Sequence, residues 1–199
     1  TENWMLGAFG PEYVPMAPGT AISILLLSMC ALLGPSSHAV RGAVVLSWFA
    51  AVFSAALALL TLTVHFSDGA VSFPVWLAPL GWQAGEITAG VMSPLTAAVL
   101  LLSAVALVLE TPPLRRRHGA RQTAALGAVF AGLTSLFVLL GYVFDAPPLY
   151  GTTTVPMALL SALSLGLLNV GLLWQAGADV WPMSFLFFGA PGESATRWT

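Results

Sequence analysis

Met92-Ser93-Pro94-Leu95-Thr96-Ala97, followed by an apolar run to Leu109, is the stretch that decides how this chain folds. Proline two places after Met suits a first helical turn, where its missing N–H costs nothing. Ser93 stands where a side chain can cap that turn, and Thr96 lies within it. Altered copies occur at Met16-Ala17-Pro18-Gly19-Thr20-Ala21 and at Met157-Ala158-Leu159-Leu160-Ser161-Ala162. Each leads into its own apolar run, to Leu33 and to Trp174. The copies recur at intervals of 76 and 65 residues, too long for a solenoid period but right for a repeated helix pair.

Composition places those helices in a membrane. Of 199 residues, 58% are hydrophobic and 7% charged, and the mean hydropathy is +0.90. Soluble domains carry roughly a quarter charged residues. A net charge of −2 offers no basic surface to nucleic acid. The single cysteine, Cys30, has no partner for an internal disulfide. Thr1 reads as a natural N-terminus from which an initiator Met was removed, and no basic stretch precedes Met16 as a cleavable signal peptide requires.

The expected fold is an all-α integral membrane protein with five membrane-spanning helices, at about 17–34, 43–66, 94–110, 123–144 and 157–175. Gly34-Pro35 and Pro112-Pro113 stop the first and third. Residues 1–16 form an outer-side tail, 17–176 the bundle, and 177–199 a membrane-associated tail. Residues 67–92, with Trp76 and Trp82 among Pro74, Pro79 and Gly81, are too short and too interrupted to span. They are expected on the outer surface as an aromatic, partly helical segment. Arg41, the 115–121 cluster and Arg197 fall on one side, and the positive-inside rule makes that side cytoplasmic. The N-terminus is then outside and the C-terminus inside, in a bacterial inner membrane. All three Met motifs open outside-to-inside helices, so the helix-pair repeat is parallel.

Gly141-Tyr142-Val143-Phe144, Pro148-Leu149-Tyr150-Gly151 and Pro156-Met157-Ala158 together resemble part of the six-helix membrane input region of bacterial sensor histidine kinases and diguanylate cyclases. Met92-Ser93-Pro94-Leu95-Thr96-Ala97 is similar to the middle signature of that region. Gly189-Ala190-Pro191-Gly192-Glu193 resembles the linker before its signalling domains. The resemblance implies a sensor whose last helix passes a signal to an output domain. The chain departs from it by lacking the family's first helix and by stopping where the output domain would begin.

Few residues are candidates for chemistry. His65 is the only histidine near membrane depth; haem or chlorophyll ligation is weighed there against an interfacial side chain. Glu110 is expected to pair with the nearby arginines, and Asn169 to make one interhelical hydrogen bond. Arg115, Arg116, Arg117 and Arg121, with Trp76 and Trp82, are the candidate lipid or partner contacts. Gly127 and Ala131 on the fourth helix, and Ala158, Ala162 and Gly166 on the fifth, form small-residue stripes suited to close helix packing, within the bundle or against another subunit. No phosphate loop, Cys/His cluster or nucleophile–base arrangement is visible. The sequence therefore favours a non-catalytic accessory or scaffold subunit of a larger inner-membrane complex, photosynthetic or respiratory for example. It would have no cofactor of its own, and its contacts would be with lipids, at most peripheral pigment, and other membrane subunits. The sensor input module is the alternative.

Overall fold

The computed structural model describes residues 16–33, 41–67, 82–84, 87–89, 92–144 and 155–188. The N-terminal tail to residue 15, His38, Trp76 and residues 189–199 lie outside them. Among the described residues the helices are, in order, α1 (Pro18–Leu33), α2 (Arg41–Phe66), α3 (Pro94–Leu109), α4 (Pro112–Arg115), α5 (His118–Val143), α6 (Leu159–Ala176) and α7 (Met183–Phe188). Between α2 and α3, β1 (Trp82–Ala84) and β2 (Ile87–Ala89) pair antiparallel, with Gln83 opposite Thr88. The outer segment was expected to be partly helical; where it is described, it is this hairpin.

The deciding stretch forms the helix start that its residues dictate. Ser93 is the N-cap of α3, with extended backbone (φ −68°, ψ 148°), and Pro94 occupies the first turn. The Thr96 amide donates to Ser93 Oγ at 3.0 Å, and the two hydroxyls lie 2.7 Å apart. The third copy of the motif starts later than its sequence suggests. Met157 and Ala158 precede α6, and the Met157 carbonyl accepts from the Tyr142 hydroxyl at 2.7 Å, tying the end of α5 to the start of α6.

Among the described residues, three helices are long and apolar enough to cross a membrane: Gly42–Phe66, His118–Val143 and Leu159–Ala176. The apolar helices α1 and α3 have 16 residues each and reach about 24 Å at about 1.5 Å per residue. The distribution of side chains is that of a membrane protein. Leu25, Leu32, Phe49, Phe130, Phe137, Leu167 and Trp174 face outward, whereas many alanines, serines and threonines share the interior with leucines such as Leu27, Leu100 and Leu165. Small residues bring backbones close where lipid makes apolar burial worth little.

Helix α3 packs against α1, α2, α5 and α6, and the outer four meet in the sequence α2–α1–α6–α5. Gln175 Nε2 donates to the Ala31 carbonyl at 2.7 Å, Arg115 reaches the Gln175 carbonyl, and Arg121 reaches the Ala176 carbonyl. These bonds gather the C-terminal ends of α1, α3 and α6 beside the start of α5. Ala43 and Ser47 of α2 share a cavity with Cys30 and Gln175, which adds the start of α2 to the same end. Polar side chains recur deeper in the bundle. Ser23, Ser54, Ser103, Ser135 and Asn169, one from each long helix, are all buried.

Candidate functional site

A concavity of about 430 Å³ runs along the outside of α5 and α6. Its floor exists because two glycines let the helices approach. A Cβ on Gly132 would sit 3.7 Å from Asn169 Cβ, and one on Gly166 would sit 3.6 Å from Ser135 Cβ. Above that floor, Val129, Leu133 and Leu136 form one wall and Leu163, Leu167 and Val170 the other; Pro182 also lines the groove. Gly166 is thus the one residue of the expected α6 stripe that borders an open surface. Ala158 and Ala162 are buried, as is Ala131. Gly127 faces α3, where a Cβ would meet the Leu102 carbonyl at 3.8 Å. Most of the stripe is therefore consumed inside the bundle.

Asn169 reaches the groove but its polar atoms are occupied. Its Nδ2 donates to Ser103 Oγ at 2.9 Å and to the Leu165 carbonyl at 2.8 Å. The single Ser103 hydroxyl proton is shared between the Val99 carbonyl at 2.9 Å and Asn169 Oδ1 at 3.2 Å. Asn169 therefore binds α6 to α3, a bond worth about 1 kcal/mol in a membrane. The groove can select an apolar shape, and its walls bring no ionisable groups together.

The arginine cluster divides in two. Arg115 Nε lies 3.3 Å from Glu110 Oε2, and its Nη2 donates to the Gln175 carbonyl at 2.8 Å. Arg121 Nε donates to the Ala176 carbonyl at 3.1 Å, and Nη2 reaches the same oxygen. Nη1 and Nη2 of Arg121 clasp Asp179 at 2.8 and 2.6 Å. Two cations thus neutralise the carbonyl end of α6, where the helix dipole favours positive charge. The hydrogen bond from Arg121, above all, holds the Asp179 carboxyl below its ordinary range. Arg116 and Arg117 point outward and make no hydrogen bond or ion pair among the described residues. Among the described arginines of the cluster, these two are left without a partner and face a headgroup or another chain. Sequence inspection missed Gly177, Gln175 and Asp179 as members of this end. The signal it offered was a glycine and an aspartate just past the last periodic residue of a helix.

His65 is exposed in the last turn of α2, with its ring centroid 5.4 Å from that of Phe66, in an edge-on contact. Among the described residues no group of three or more His, Cys, Asp or Glu side chains could hold a metal ion. Trp82 opens β1, and Trp48, Trp174 and Trp181 are exposed. Compared with protein-family models, with curated proteins and with solved structures, the chain matches none.

Proposed function

We propose that this chain is a non-catalytic accessory subunit of the bacterial inner membrane, with no cofactor of its own. In this reading α1, α2, α3, α5 and α6 all span, in parallel helix-pair repeats. The outer tail and the 67–92 segment lie outside, and the 177–199 tail lies in the cytoplasm. The subunit packs against a larger complex, photosynthetic or respiratory for example, through the α5–α6 groove and the apolar walls around it. One observation carries the reading: an apolar groove of about 430 Å³, floored by Gly132 and Gly166, whose one polar lining side chain, Asn169, is already bonded to Ser103 and the Leu165 carbonyl. A neighbouring helix can seat large side chains there, gaining van der Waals contact that lipid tails fill less well.

The topology has a direct measurement. In a Cys30→Ser background, His65→Cys and His118→Cys are expected to react with a membrane-impermeant thiol reagent from opposite sides, residue 118 from the cytoplasm. Labelling of both from one side would sink the five-span arrangement.

The resemblance to sensor input regions supplies the competing reading. It needs α6 to transmit a displacement towards the Gly189–Gly192 joint. Helix α6 instead ends at Gly177 (φ 95°), and Arg121 pins that end to α5, which supports the accessory reading. Gentle extraction from the native membrane distinguishes the two. The wild-type chain is expected at constant stoichiometry with an energy-transducing complex, and Leu133→Trp, which fills the groove from its exposed rim, is expected to lose that association while keeping its own unfolding midpoint. Recovery as part of a longer kinase or cyclase polypeptide, or equal retention of the variant, would overturn the proposal.

A further inference from the structure

Glu110 follows α3 directly as its C-cap residue, and its side chain is 4% exposed. Neither carboxylate oxygen has a hydrogen-bond partner, because Arg115 Nε approaches at 3.3 Å without a hydrogen-bonding angle. The carboxylate borders a partly open cavity of about 20 Å³ lined by residues of α1, α2, α3, α4 and α6. A space of roughly 10–15 Å³ or more admits one water.

The groups around that cavity are short of donors. The Ser47 hydroxyl donates to the Ala43 carbonyl at 2.9 Å and the Thr111 hydroxyl to the Val108 carbonyl at 2.6 Å. The Gln175 amide spends one N–H on the Ala31 carbonyl, and its second does not reach the carboxylate, neither of whose oxygens has a partner; the lining otherwise offers only the weak Cys30 thiol. Both hydroxyl oxygens keep lone pairs. An ionised carboxylate only accepts hydrogen bonds, whereas a protonated one has an O–H to give. The lining therefore suits the acid form.

We propose that Glu110 and this cavity form a proton-binding site at the Arg-bearing end of the bundle, the carboxyl taking its proton from water and giving the resulting O–H to a hydroxyl or a single water in the cavity. The charges that face it come from every neighbouring element that carries one. Arg115 belongs to α4 and is 41% exposed, so solvent screens part of its charge. Arg121 stands on α5 and Asp179 beyond α6, while Cys30 is the ionisable group of α1. Helix α2 presents Ala43, Val44 and Ser47, none ionisable. Burial pushes the Glu110 carboxyl above its ordinary range, against the pull of Arg115 and Arg121; Asp179 adds to the rise. Protonation frees Arg115 from Glu110 but leaves its bond to the Gln175 carbonyl in place. The site would thus report the pH of the compartment beside the arginines, independently of what occupies the groove.

Infrared difference spectra of the purified full chain during a pH titration test this. A protonated-carboxyl C=O band is expected to appear above about pH 4, the ordinary Glu range, and to be missing in Glu110→Gln. In Arg115→Gln the same band should appear at higher pH, because a stabilising positive charge is gone. The two forms also differ in stability. The ionised carboxylate opposes folding above the raised pKa, so the wild-type unfolding midpoint should climb towards that of Glu110→Gln as the pH falls. If Glu110→Gln proves unstable, the Arg115→Gln shift still decides the matter. Spectra unchanged by Glu110→Gln, or a Glu110 band confined to the ordinary carboxylate range, would overturn the proposal.

Discussion

Truncating Leu100 to alanine should destabilise the bundle by about 2–3 kcal/mol, near the low end of the cost of emptying a packed leucine site. The low end applies because an unfolded helix in a membrane leaves its leucine in lipid, so most of the transfer contribution cancels and the packing contribution remains. Leu100 is 0% exposed on the helix that touches all four others, where no lipid tail can refill the space. Leu102, two positions along the same helix, is 39% exposed. Its truncation should change stability by less than about 0.5 kcal/mol, as surface substitutions usually do. Reversible unfolding in mixed micelles reads both values. Equal costs at the two positions would mean that α3 is not the centre of the bundle.

Gly177→Ala is the second large effect. Gly177 has φ 95° and ψ 161°, a region essentially reserved for glycine, where another residue costs on the order of 1–3 kcal/mol. The added Cβ would also lie 2.6 Å from Arg121 Nη2 and 2.9 Å from Asp179 Oδ1. Relief of either clash displaces Arg121 from the end of α6, so the variant should lose the clasp as well as gain strain. Acid reaches part of the same state by another route. Because Arg121 holds the folded-state Asp179 pKa below its unfolded value, the clasp contributes fully above about pH 4 and is lost as the pH falls through the lower folded value. The gap between wild type and Gly177→Ala, followed by thermal unfolding, should therefore narrow at the acid end. A gap that stays constant from neutral pH to below about pH 3 would show that the clasp carries none of the loss.

What the sequence disclosed was local or one-dimensional. Ser93, Pro94 and Thr96 define a capped helix start within four residues, so no distant contact is needed to read it. Gly34-Pro35 and Pro112-Pro113 likewise announce helix ends. Chain direction also gathered the arginines at one end. The sequence could not show which of them turn inward. Arg115 and Arg116 are neighbours, and only the position of the α6 carbonyls separates a helix staple from a free charge. The small-residue stripes were visible, but Gly127 and Ala131 look the same in sequence as Gly132, although Gly127 faces α3, Ala131 is buried and Gly132 opens the groove. The 82–84 and 87–89 hairpin was missed because three-residue strands carry too little alternation to register.

The bond between Gln175 and the Ala31 carbonyl joins positions 144 residues apart, and Ser103 meets Asn169 across 66. Synthesis therefore delivers the first helix long before the partner that completes it. Until α6 leaves the ribosome, α3 has an open flank, and the end of α1 lacks the amide that caps it. A chain arrested before Leu159 would present those half-finished surfaces to membrane proteases and insertion chaperones. The contacts that α6 makes with α1 and α3 thus complete the bundle only after α6 itself has been translated.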